Sequence, residues 1–215
     1  MAEKFTHFFI FGDSITYGAW DKDGGWASRL RKFVDKKNIS DPNFYCLVYN
    51  LGISGDTTTD VLERFEFELK MRLQDELAVV FAIGINDSAF LNETQTNYVP
   101  LEQFKTNLQS LIVLARKFTS KIIFVGLSPV DEAKTTPVIW DASKSYKNEY
   151  IQQYDAAIKH LAQQNNLLFI DVLKALSKSD HTSLTDDGLH PNAKGHRKIF
   201  GLVKRTLIKQ RFIPK

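Results

Sequence analysis

HFFIFGDS, residues 7–14, sets the fold: an unbroken apolar run of strand length that stops at Gly12-Asp13-Ser14. Such a run suits a strand covered on both faces. Four more runs follow, FYCLVYNL at 44–51, LAVVFAIG at 77–84, KIIFVGL at 121–127 and LLFIDV at 167–172. Five buried strands are expected. Between them lie stretches with helical spacing: Val61, Leu62, Phe65 and Leu69; Leu101, Phe104, Leu108, Leu111, Ile112 and Ala115; Ile151, Tyr154, Ile158 and Leu161. With further helices near 25–37 and 192–210, strand and helix alternate. Right-handed crossovers then make the sheet parallel. The expected fold class is α/β, a three-layer α/β/α sandwich on a five-stranded parallel sheet, with residues 1–215 as one domain. Met71, the phenylalanine stripe and the aliphatic helix faces read as core.

Bulk properties narrow the function. A charge of +3, from 28 basic and 25 acidic residues spread along the chain, lacks the concentrated basic footprint of nucleic-acid binding. No apolar run approaches the ~20 residues of a membrane span. Cys46 is alone, so no internal disulfide is expected. FFIF runs straight into GDS without the pattern of a signal peptide, and a cytoplasmic location is expected.

The irregular stretches 85–100, 128–145 and 177–190 follow predicted strands and should gather at the carboxyl edge of the sheet, where open α/β proteins bind ligands. Ser14 leaves the first strand at that edge. A serine hydroxyl is a weak nucleophile until a base takes its proton. Among five histidines, His190 sits in the segment best suited, Asp187-Gly188-Leu189-His190-Pro191-Asn192. Asp187 is near enough to fix the imidazole tautomer and stabilise its charged form. Donors for a developing oxyanion can come from the Ser14 N–H, from the glycines of Asn50-Leu51-Gly52-Ile53-Ser54-Gly55-Asp56-Thr57-Thr58, and from the Asn86 amide in Gly84-Ile85-Asn86-Asp87.

FGDSITYG, NLGISGDTT, GIND and DGLHPN, in this order from residue 9 to about 196, resemble the four blocks of the SGNH or GDSL hydrolases. The resemblance implies a flavodoxin-like sheet and an ester hydrolase with Ser14, Asp187 and His190 as catalytic triad. It also implies an oxyanion hole from Ser14, Gly55 and Asn86, Gly55 being chosen over Gly52 by its place in SGDTT. No cofactor or metal is expected, and the substrate is a small carboxylic ester, thioester or acetylated sugar. One departure is Ile85, where the third block often carries a second glycine. Trp20, Trp26, Phe90 and Trp140 flank the expected site, and Trp20, Phe90 and Trp140 are candidate substrate contacts.

Taken singly, each block reads as an ordinary turn; their joint occurrence at strand ends reads as a site. Two competitors remain. Asp13, Asn86, Asp87, Asp187 and His190 include ligand types for a metal-dependent phosphoesterase, although no H-E-x-x-H helix is present. A non-catalytic carbohydrate-binding module could share the fold. The absence of G-x-S-x-G argues against an α/β-hydrolase nucleophile elbow.

Overall fold

The computed structural model describes residues 6–178 and 180–214. Residues 1–5, on which the reading of the N-terminus also rests, lie outside them.

The strands β1 (His7–Gly12), β2 (Val48–Gly52), β3 (Leu77–Ala82), β6 (Ile122–Val125) and β8 (Leu168–Ile170) form one sheet in the order β2-β1-β3-β6-β8. All four pairings are parallel. β1 lies between β2 and β3, and its side chains alternate between two cores. Phe9 and Phe11 pack with Val61, Phe65, Leu108 and Ile158 on one face. Phe8 and Ile10 pack with Trp26, Leu30, Ile199 and Val203 on the other. The first face is covered by α3 (Thr58–Lys70), α4 (Leu101–Arg116) and α6 (Asn148–Gln164), the second by α2 (Gly25–Ser40) and α8 (Ala193–Lys209). The three-layer α/β/α sandwich and its five parallel strands are therefore as expected. Leaving β1, the chain crosses to β2 on one side, then returns to β3 on the other. This is a topological switch point, and Ser14 stands directly beyond it.

Several expectations need correction. The second strand begins at Val48 rather than at residue 44. Asn38 holds Cys46 through its backbone N–H (3.0 Å) and C=O (2.7 Å), and the Leu47 N–H donates to His7 Nδ1 (2.9 Å). Side chains thus take the backbone groups that a longer strand would have paired. Met71 is 69% exposed, at the end of α3 past the last core residue, Leu69. Trp26 has the opposite fate, buried at 1% exposure against α8 and absent from the cleft that Ser14 lines.

The stretches 85–100 and 128–145 are less irregular than expected. They contain β4 (Phe90–Leu91), β5 (Thr96–Asn97) and β7 (Lys144–Ser145), paired antiparallel in a small second sheet. The short helices α1 (Ser14–Tyr17), α5 (Glu132–Thr135) and α7 (Val172–Leu176) complete the structure, with a 3₁₀ turn at Thr182–Leu184. Among the described residues, no helix is long and apolar enough to cross a membrane.

Candidate active site

Gly12 ends β1 where no other residue fits, because a Cβ there would overlap Thr16 Oγ1 and the Ala82 carbonyl. The Asp13 side chain then accepts the Ile15 N–H (2.9 Å) and caps α1. Ser14 is the first residue of that helix, so its own N–H has no acceptor within it. Its Oγ lies 3.0 Å from His190 Nε2, and His190 Nδ1 lies 2.7 Å from Asp187 Oδ2. Ser14, which the sequence separates from Asp187 and His190 by more than 170 positions, forms one hydrogen-bonded line with them.

The loop that carries Asp187 and His190 is organised around the second carboxylate oxygen. Asp187 Oδ1 accepts from the backbone N–H of Leu189 (2.9 Å) and of His190 (2.8 Å), and from Thr185 Oγ1 (3.2 Å). Burial pushes the Asp187 carboxyl up. The His190 ring, its charge and the two N–H donors more than offset this, leaving it at about 2. Asp187 is therefore a carboxylate at neutral pH, and the proton shared with it belongs on His190 Nδ1. Nε2 is then free to accept from Ser14. Behind the loop, Asn192 caps α8 by accepting from Lys194 and Gly195.

The two other blocks arrive beside Ser14. Gly55 has φ +92, a left-handed conformation that suits glycine, and nothing lies within 4 Å of its missing side chain. Asn86 is 8% exposed. One of its amide hydrogens goes to the Asp56 carbonyl (2.8 Å), and its Oδ1 accepts from the Tyr146 hydroxyl (2.9 Å). The amide is thus fixed in orientation with its second hydrogen left over. Tyr146 was not singled out in the sequence, and nothing near it there marks it. Ser14, Gly55, Asn86, Tyr146, Val138 and Leu189 line a common cleft of about 310 Å³.

Of the expected substrate contacts, Trp20 and Trp140 line this cleft and Phe90 does not. Phe90 stacks on Tyr150 at 5.3 Å with Lys147 over its ring, because β4 turns it toward α6 rather than toward Ser14. The oxygen ligands proposed for a metal also disperse. Asp87 is fully buried and accepts from the Thr58 backbone and hydroxyl, while Asp13 faces Ile15. Among the described residues no three His, Cys, Asp or Glu side chains converge on one point.

Residues 10–198 match the GDSL-like lipase/acylhydrolase family. The bovine isoamyl acetate-hydrolyzing esterase 1 homolog is 29% identical over 201 residues, covering 89% of this chain and 77% of its own. The acetylxylan esterase of Geobacillus stearothermophilus is 26% identical over 165 residues, 72% of this chain and 69% of its own. Among solved structures, the lipase/acylhydrolase of Enterococcus faecalis superposes with a TM-score of 0.76 at 26% identity, over 98% of both chains. Fold and relatives together make this chain a carboxylic ester hydrolase. It belongs to the GDSL-like lipase/acylhydrolase family.

Proposed function

We propose that the chain is a single-domain serine esterase that cleaves short-acyl carboxylic esters through an acyl-enzyme, with Ser14, His190 and Asp187 as its triad. The observation that carries this reading is the unbroken line from Ser14 Oγ through His190 to Asp187, with steps of 3.0 and 2.7 Å. Ser14 Oγ bonds to the ester carbonyl carbon while its proton passes to His190 Nε2, and Asp187 holds the imidazolium. The carbonyl oxygen becomes an anion facing the Ser14 and Gly55 N–H groups and the spare Asn86 hydrogen. When the carbon–oxygen bond to the alcohol breaks, the leaving oxygen takes the proton from Nε2. A water molecule, deprotonated by the same nitrogen, then attacks the acyl-serine, and the carboxylic acid departs as Ser14 recovers its hydrogen.

The short-acyl preference is supported by the modest volume of the cleft, about 310 Å³, whose lining includes the buried Val138, Tyr146 and Leu189. The names of two relatives also point to acetyl esters. A panel of ethyl esters from acetate to dodecanoate tests it, together with intact-mass detection of a fluorophosphonate adduct on Ser14. Turnover highest on acetate to butyrate, with an adduct that Ser14→Ala abolishes, is expected. A preference for dodecanoate would refute the short-acyl reading, and an adduct on another residue the serine assignment. EDTA should leave turnover unchanged; inhibition reversed by a divalent metal would favour the phosphoesterase.

A further inference from the structure

Two cavities meet at the His190 ring. The first is the 310 Å³ cleft that contains Ser14; the second, about 560 Å³, does not include Ser14 and is walled by Trp20, Ile139 and Trp140. Trp20, Trp140 and His190 are common to both. The ring centroid of Trp20 lies 5.8 Å from that of His190, edge-on, and that of Trp140 lies 6.0 Å away at an interplanar angle of 27°.

Trp20 is the anomalous member of this group. Its φ is +63, a left-handed conformation that is an outlier for a bulky residue, and its side chain is 78% exposed. Core burial therefore does not explain it. Its indole N–H lies 3.1 Å from His190 Nδ1, but that nitrogen already donates to the Asp187 carboxylate and has no lone pair to offer. The hydrogen bond is absent in the tautomer that the triad requires. The surrounding loop nevertheless imposes the conformation. Buried Asp21 accepts from the Gly25 N–H (3.1 Å) and pairs with Arg29 (2.9 Å), pinning the loop a residue beyond Trp20. The Asp21 N–H also closes a turn onto the Gly18 carbonyl (3.2 Å) with Trp20 at its third position, and a bulky residue kept left-handed and exposed in such a turn is a feature of ligand clamps.

We propose that Trp20 and Trp140, with Ile139, form the subsite for the alcohol half of the ester, and that this half is an apolar group of several carbons. The inference rests on the esterase reading above and deepens it. Since the leaving oxygen must receive its proton from Nε2, the alcohol departs alongside the imidazole ring, and both tryptophans flank that ring. Its apolar walls are Trp20, Ile139 and Trp140, all more than half exposed, beside the polar Asp186, Asp187, His190 and Asn192. The polar groups of the same cavity are largely engaged: Asn192 Nδ2 donates to Asp186 Oδ1 (2.9 Å), while Asp187 serves His190. A hydrocarbon alcohol fits these walls better than a sugar, whose hydroxyls would compete with existing hydrogen bonds.

Two ester series separate this subsite from the acyl pocket. In the first, acetate is fixed and the alcohol grows from ethyl to 3-methylbutyl and 2-phenylethyl; in the second, ethanol is fixed and the acyl group grows from acetyl to butyryl. In the wild type, kcat/KM should rise about tenfold or more along the first series, the scale of an apolar pocket contact. Trp20→Ala and Trp140→Ala should each compress that rise to about threefold or less, chiefly through KM, while keeping the wild-type ratio along the second. Trp20→Gly relieves the left-handed backbone, so its Tm should equal or exceed that of the wild type while alcohol selectivity falls. A flat alcohol series in the wild type, unchanged ratios in the variants, or equal compression of both series would overturn the subsite and leave the esterase standing. A Tm lowered in Trp20→Gly with selectivity intact would make Trp20 structural. No turnover and no fluorophosphonate adduct in the wild type would overturn both readings.

Discussion

Asn86 has two amide hydrogens, one held by the Asp56 carbonyl, and an oxygen held by the Tyr146 hydroxyl. The remaining hydrogen is useful only if the amide cannot flip, and these two partners prevent a flip. Asn86→Ala should lower kcat by about 10²- to 10³-fold with KM little changed, the loss seen when one oxyanion donor is removed. Steady-state kinetics on a short-chain ester checks it, and an effect confined to KM would make Asn86 a binding residue instead. Tyr146→Phe removes one orienting hydrogen bond and keeps the ring, so a smaller loss of up to about tenfold in kcat is expected. In the proposed triad, the double variant Ser14→Ala/His190→Ala should be scarcely slower than either single variant, since the proton transfer needs both partners. Multiplying losses would point to two independent contributions.

At the scale of elements, the site depends on turns that the helices anchor. Arg64 of α3 bonds the carbonyl of Leu51 (2.8 Å) and reaches that of Gly12 (3.3 Å), while pairing with Asp56 (2.7 Å), and so ties together the ends of β1 and β2. Arg29 of α2 does the same for the loop after α1: its guanidinium meets Asp21, whose side chain is fully buried, and also Asp23. Arg29→Met keeps much of the side-chain volume and leaves the Asp21 charge buried without its partner, at a cost of about 3 to 5 kcal/mol. Urea unfolding at neutral pH measures this. A loss under about 1 kcal/mol would mean that water reaches Asp21 and that the loop is held by other contacts.

For the whole molecule, buried ionisable groups set opposing dependences on pH. Burial raises Asp13 to about 7, and Asp87 and Asp155 to about 6. Each raised carboxyl favours folding when protonated, so its contribution is complete below the unfolded value near 3.8 and is lost as pH rises through 6 to 7. His196 acts in reverse: burial lowers it to about 4, so its contribution is complete above the unfolded value of 6.5 and is lost as pH falls through 4. Asp187, held at about 2, likewise favours folding above 3.8. Asp155 lines neither cavity and accepts the Leu127 N–H (2.8 Å), which an amide oxygen can also do. The Tm of Asp155→Asn relative to wild type should therefore climb between pH 5 and pH 8. A constant difference across that range would show that Asp155 ionises as freely in the fold as in the unfolded chain.

The sequence by itself determined the order of strands and helices, because burial on both faces requires unbroken apolar runs such as FFIF and one-sided burial requires helical spacing such as Val61, Phe65 and Leu69. It also singled out Ser14, Gly55, Asn86, Asp187 and His190 as candidates, since each lies in a motif beyond an apolar run whose composition no core demands. Where the reading stopped short, the deciding contacts span the chain. The start of β2 depends on Asn38 and His7, and the inward turn of Trp26 on packing against α8. The aim of Asn86 depends on a tyrosine 60 residues away. Trp140 and Phe90 are both aromatic residues in stretches that follow strands at the same sheet edge, and nothing local distinguishes them. Only the small sheet of β4, β5 and β7 turns one against Tyr150, and only the tertiary fold sets the other beside His190. Local pattern selects which backbone shape a segment adopts; the direction of a side chain in a loop is settled by partners distant in sequence.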